Sequence, residues 1–163
     1  MKTAYFAGGC FWCITPTFEE TEGVLGVRCG YSGGKEKNPT YEEVKSQKTG
    51  HRESLRVDYD EEKVNFAALL DLFFSSVDVF DGGGQFIDRG HSYTLAVYYQ
   101  NEEEKKAAEE KLLSIEKESG RTTFVALEAF QEFFDAEEYH QEYYKKNPEA
   151  FEKELLESGR KKE

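Results

Sequence analysis

Three cysteines, Cys10, Cys13 and Cys29, are crowded into the first fifth of a 163-residue chain that has no cysteine after them. An odd, clustered set is not the framework of a secreted disulfide scaffold; it points to thiol chemistry or to a metal site. Cys10 follows Gly8-Gly9 and precedes Phe11, Ile14 and Phe18, which recur at helical steps, so it falls at a helix N-terminus. Orphan backbone N–H groups and the helix dipole favour a thiolate there, making Cys10 a candidate nucleophile. A small buried residue at a tight strand-to-helix junction would leave the same trace, because cysteine is among the most buried residue types. Pro16 fits this helix only if it falls in the first turn.

Glu53 supplies a second candidate. Strand parity groups it with Leu55, Val57 and Tyr59, while Ser54, Arg56 and Asp58 point the other way. A carboxyl at the end of an apolar face is kept protonated by partial burial, which suits a proton donor. The plainer alternative is a fraying strand end that reaches water. Tyr41 follows Asn38-Pro39-Thr40, and Tyr93 opens a strand directly after a glycine-rich segment; both stand out by context alone. His51, beside Gly50, reads as a structural histidine with satisfied hydrogen bonds.

Alternating strands and helices must position these groups. Residues 3–8 read as a buried strand, 24–31 as a half-polar strand with Leu25, Val27, Cys29 and Tyr31 on one face, and 53–59 as a third strand. The stretch 31–50 is mostly loop with at most one helical turn near Tyr41, and 65–77 is a strongly apolar helix. Residues 78–91 are too glycine-rich for regular structure. A strand over 92–99, a capped helix over 101–120 and a strand over 121–129 follow. The expected fold is α+β: a two-layer α/β sandwich with a mixed central sheet, a ferredoxin-like core and an irregular C-terminal segment that is charged from about residue 149. One domain over residues 1–163 is expected from length.

A formal net charge of −12 disfavours nucleic acid and anionic membrane surfaces as partners. With no apolar run long enough for a signal peptide or a membrane span, the protein is expected in the cytoplasm. Aromatic residues make up 15% of the chain, so the core and any pocket should be ring-lined rather than aliphatic.

The blocks Gly9-Cys10-Phe11-Trp12, Gly30-Tyr31-Ser32-Gly33-Gly34, Asn38-Pro39-Thr40-Tyr41-Glu42-Glu43-Val44, Thr49-Gly50-His51-Arg52-Glu53, Asp88-Arg89-Gly90 with Tyr93, and Ala136-Glu137-Glu138-Tyr139-His140-Gln141 follow one another in order. Together they resemble the A-type peptide methionine sulfoxide reductases. The resemblance implies reduction of methionine S-sulfoxide, free and in proteins, without a bound cofactor or metal. It implies Cys10 as nucleophile, Glu53 as proton donor, Tyr41 and Tyr93 as hydrogen-bond donors to the sulfoxide oxygen, and Phe11 and Trp12 as walls for the methyl group. Asp88 would order the site or position a water or substrate. Cys10 would become a sulfenic acid, recycled by a second thiol and a reductant such as thioredoxin, glutaredoxin or dithiothreitol.

Three departures affect recycling and local geometry. The resolving cysteines that many members carry near the C-terminus have no counterpart here, and Cys13 stands where many relatives have glycine, leaving Cys13 or an external thiol to resolve Cys10. Asp135 replaces a frequent proline before the Ala-Glu block. Two rival readings remain at this level: a thioredoxin-like disulfide oxidoreductase using Cys10-Phe11-Trp12-Cys13, and a non-enzymatic zinc module using Cys10, Cys13, Cys29 and His51.

Overall fold

The computed structural model describes residues 1–141 and 143–158. Its six-stranded sheet has the order β7-β6-β1-β3-β2-β8. The strands are β1 (Lys2–Gly8), β2 (Val24–Ser32), β3 (Arg52–Tyr59), β6 (Leu95–Tyr99), β7 (Val125–Ala129) and β8 (Phe133–Asp135). A separate two-residue hairpin is formed by β4 (Gly84–Gln85) and β5 (Asp88–Arg89). Only β6 and β7 pair in parallel; the other neighbours in the large sheet are antiparallel.

The helices are α1 (Phe11–Glu19), α2 (Tyr41–Lys45), α3 (Phe66–Ser76), α4 (Glu102–Ser119), α5 (Tyr143–Lys146) and α6 (Pro148–Ser158). The succession β1-α1-β2-β3-α3-β6, with inner strand order β6-β1-β3-β2, is the ferredoxin-like core. The faces divide by strand parity. Phe6, Leu55, Val57 and Val97 join the main core with Phe18, Phe73 and Leu112 of the helices, whereas Ala7, Ala96 and Tyr98 face the other way beneath Phe130.

Several elements differ from the sequence expectation. A β-bulge between Val24 and Gly26 shifts the parity of β2, so Leu25 is 59% exposed instead of sharing the buried face of Cys29 and Tyr31. The segment 78–91 does hold the β4–β5 hairpin. Tyr93 lies in a 3₁₀ turn, His91–Tyr93, and the strand opens at Leu95 rather than at residue 92. The last parallel strand begins at Val125, not at residue 121. Pro16 sits in the second turn of α1, and the helix survives because Phe11, Ile14 and Phe18 are anchored in the core.

β8 was not expected. It joins the sheet edge because Gly30 opposes Asp135 and leaves room: a Cβ at Gly30 would collide with the Phe134 carbonyl and the Phe133 ring. Asp135, in the position often held by proline, ends this strand and pairs with Arg28 at 3.2 Å. The C-terminal segment expected to be irregular is helical over Tyr143–Lys146 and Pro148–Ser158, the second helix opening on Pro148, whose fixed φ suits a first helical position. Among the described residues, no helix is long and apolar enough to cross a membrane.

Candidate active site

Cys10 occupies the position before the first turn of α1, and the Cys13 amide donates to its carbonyl at 3.1 Å. Gly9, with φ of 86°, makes the sharp exit from β1 that aims Cys10 at the helix end. Cys10 is 6% exposed. The next amide, that of Phe11, is an orphan donor of the helix start, and Glu53 Oε1 accepts it at 3.1 Å. Glu53, rather than the Cys10 side chain, therefore takes this cap bond. Glu53 is 2% exposed and faces Tyr31 across the β2–β3 ladder, so it is no fraying strand end.

Tyr93 is buried, and its phenol is held well above its usual range. Burial is the main cause, followed by the neighbouring Glu53 carboxyl, the Tyr41 phenol and the Asp88 carboxyl, and by a hydrogen bond with Tyr41. Those influences place Tyr93 within electrostatic reach of three other candidate residues, and they keep it a protonated donor at neutral pH. Asp88 comes from β5 and is partly buried.

The aromatic surround is built on α1. Trp12 is partly exposed and stacks on Tyr41, with ring centroids 6.3 Å apart and an interplanar angle of 18°. Phe11 is only 1% exposed and contacts Tyr31 and His140, so it backs the site from the core side while Trp12 offers the accessible ring.

His140 had no assigned role in the sequence reading beyond its place in the Ala-Glu-Glu-Tyr-His-Gln block. Its Nδ1 accepts the Trp12 indole N–H at 2.9 Å, and its ring lies 4.7 Å from that of Tyr41. Burial lowers its pKa, with Glu137 opposing. The neutral ring that accepts at Nδ1 carries its proton on Nε2, a buried atom with no hydrogen-bond partner among the described residues. No periodicity could have singled it out, because it lies in an isolated 3₁₀ turn, Glu138–His140.

Glu137 ties the same loop to two elements, accepting the Tyr31 hydroxyl at 2.9 Å and the Tyr41 amide at 3.0 Å. Burial raises its pKa, but the Tyr41 amide, its own amide, the Tyr31 hydroxyl and His140 outweigh that and leave it below its ordinary value of 4.5. A depressed carboxylate contributes stability above 4.5 that is lost as the pH falls through the folded value. Glu137→Gln is therefore expected to cost about 1 kcal/mol at pH 7, as for other charge-assisted bonds in partly exposed settings. Urea denaturation should show the gap from wild type closing below pH 4.5; a constant gap down to pH 3 contradicts the assignment.

The remaining candidates separate clearly. Cys13, in the first turn of α1, is partly exposed. Cys29 is 1% exposed, its thiol contacts the Thr15 hydroxyl at 3.3 Å, and burial above all pushes its pKa up to about 12. His51 accepts the Gly34 amide at Nδ1 and donates to the Glu36 carbonyl through Nε2, so both ring nitrogens are engaged as expected of a structural histidine. The zinc reading thus loses His51 as a ligand. Among the described residues, no three His, Cys, Asp or Glu side chains are grouped to hold a metal ion.

The family model described as peptide methionine sulfoxide reductase matches residues 2–163. A peptide methionine sulfoxide reductase of Bacillus licheniformis is 43% identical over 98% of this chain and 89% of its own length. One from Ligilactobacillus salivarius is 44% identical, covering 91% of this chain and 88% of the relative. The solved methionine sulfoxide reductase A of Corynebacterium diphtheriae superposes with a TM-score of 0.81 at 29% identity, covering 90% of this chain and 75% of that one. Neither the disulfide-oxidoreductase nor the zinc-module reading finds support in these likenesses. Both the thiol-and-carboxyl arrangement at the start of α1 and the full-length match lead to one assignment: the chain belongs to the peptide methionine sulfoxide reductase family.

Proposed function

We propose that the protein, as one catalytic domain over residues 1–163, reduces the S epimer of methionine sulfoxide, free and in proteins, to methionine. One observation carries this reading: Glu53 is docked on the Phe11 amide, one residue along from Cys10 at the same helix end. The Cys10 thiolate, favoured by that helix end, attacks the sulfoxide sulfur while Glu53 donates a proton to the oxygen. Tyr41 and Tyr93 hold the oxygen, Trp12 and Phe11 flank the S-methyl group, and Asp88 orders the polar side. The S–O bond breaks, methionine leaves as the thioether, and Cys10 carries the oxygen as a sulfenic acid. Turnover of separated epimers with dithiothreitol tests this. Reduction of the S epimer alone is expected; equal turnover of both, or of neither, removes the reading.

Recycling requires a second thiol to condense with the sulfenic acid, releasing water and leaving a disulfide that a donor such as thioredoxin or glutaredoxin reduces. Cys13 fits this role. It lies three residues from Cys10 in a turn closed by the 3.1 Å bond between them, and such a pair falls in the range of about 4.4–6.8 Å between bridged Cα atoms. Cys29 does not fit, because a buried thiol with a pKa of about 12 is poorly ionised. One equivalent of substrate without reductant should give a single disulfide, linking Cys10 to Cys13 by peptide mapping. A Cys10 sulfenic acid beside an alkylatable Cys13 would instead show resolution by an external thiol. A cytoplasmic location accords with a donor thiol system of this kind.

A further inference from the structure

Gln47 lies just past α2 with a left-handed backbone, φ of 68°, a region that favours glycine. Its amide closes the helix end on the Val44 carbonyl at 3.0 Å. A non-glycine residue keeps such a conformation where its surroundings hold it there. Here the carboxamide does the holding, although Gln47 is itself exposed. Oε1 accepts the Ser92 amide at 2.9 Å, while Nε2 donates to the Ser92 hydroxyl at 2.7 Å and to the Lys45 carbonyl at 3.1 Å.

Ser92 is 1% exposed and sits in the 3₁₀ turn His91–Tyr93, directly before Tyr93. Its amide belongs to the first turn, where the helix itself offers no acceptor, so Gln47 satisfies a buried donor that would otherwise lose its partner. Gly90 makes room for this approach: a Cβ there would meet the Gln47 carboxamide at 2.8 Å. A second tie runs alongside, from His91 Nε2 to the Gly50 carbonyl at 3.0 Å. The helix that begins at Tyr41 and the turn that ends at Tyr93 are thus clamped together through Gln47.

We propose that Gln47 is a positioning residue, whose two hydrogen bonds to Ser92 set where the Tyr93 hydroxyl stands relative to Tyr41. The proposal rests on the sulfoxide reductase reading, in which both phenols hold the sulfoxide oxygen. It adds a residue that lies outside every block of the family resemblance, as does Ser92. Two donors serve one oxygen only when their spacing is fixed before substrate arrives, because hydrogen bonds weaken steeply with misalignment. Tyr93 carries a stiff ring on a one-turn helix, so any displacement of the Ser92 backbone is passed on to its phenol. Gln47 acts through that backbone, while the sulfoxide oxygen is left to the tyrosines.

The test measures methionine formed from methionine S-sulfoxide in a single turnover, with enzyme in excess and no reductant, which reads oxygen transfer apart from recycling. Gln47→Gly and Gln47→Leu are compared with wild type, and each is repeated in a Tyr93→Phe background. Both lack the carboxamide; glycine also suits the positive φ, and leucine keeps much of the bulk. Gln47→Gly is expected to unfold at a midpoint close to wild type, because a relaxed backbone offsets the lost side-chain bonds. Both variants should nevertheless slow the step about five- to tenfold, less than the roughly hundredfold that a 1 Å misplacement can cost. With Tyr93→Phe, itself slower than wild type, either substitution should change the rate less than about twofold, since the hydroxyl that Gln47 positions is gone. A wild-type rate in Gln47→Gly overturns the proposal. So does an equal loss in both backgrounds, which marks a general distortion, or a Tyr93→Phe variant as fast as wild type. If wild type itself forms no methionine, the underlying reading fails; an active wild type with an unaffected Gln47→Gly removes the proposal alone.

Discussion

Cys10→Ser is expected to bring methionine sulfoxide reduction below detection. The step needs a nucleophile that is ionised near neutrality, and the helix dipole at the start of α1 favours a thiolate there. A serine hydroxyl gains little from the same setting, because its pKa is far higher. The substitution is nearly isosteric at a position 6% exposed, so the fold should persist. Circular dichroism and the unfolding midpoint should match wild type. Activity retained in that folded variant would move the nucleophile elsewhere, and Cys13 would become the first residue to test.

Glu53→Gln is expected to lower kcat by on the order of a hundredfold or more, the usual size of a general acid contribution. Glutamine can still accept the Phe11 amide that Glu53 Oε1 takes at 3.1 Å, so the helix start keeps its cap and the variant isolates the proton. KM should change less than kcat, since the residues proposed to bind the substrate, Trp12, Tyr41 and Tyr93, are untouched. Tyr93 cannot take over the role in full: its phenol, raised by burial, is a good hydrogen-bond donor but a poor acid. A kcat within a few-fold of wild type at neutral pH would show that the departing oxygen takes its proton from elsewhere.

Much of this candidate site is legible in the sequence. The Gly8-Gly9 stop and the Phe11, Ile14, Phe18 period place Cys10 at a helix start, and parity along β3 places Glu53 toward the core; both are local patterns set by one element. Cys29 was likewise readable, because its strand neighbour Tyr31 shares the buried face. The bulge that frees Leu25 was not, since it arises from pairing with β3 rather than from β2 alone.

What escaped the sequence reading depends on contacts between distant segments. His140 meets Trp12 across 128 positions, and Glu137 meets Tyr31 and Tyr41 across 106 and 96. β8 exists because Gly30 opens an edge to residues a hundred positions away. The β4–β5 hairpin was hidden by its glycines, which read as loop although Gly84 is there to let two strands approach. The two-layer α/β architecture, by contrast, follows from the alternation of strands and helices, and the ferredoxin-like core was expected.

The proposed mechanism turns on transfer of the sulfoxide oxygen to Cys10. Its most direct test uses the Cys13→Ser variant, mixed with one equivalent of methionine S-sulfoxide without reductant and trapped with dimedone. One dimedone adduct, on Cys10, is expected for each methionine formed, as counted by mass spectrometry of the intact protein and its peptides. Methionine formed in stoichiometric amount with Cys10 unmodified would contradict it.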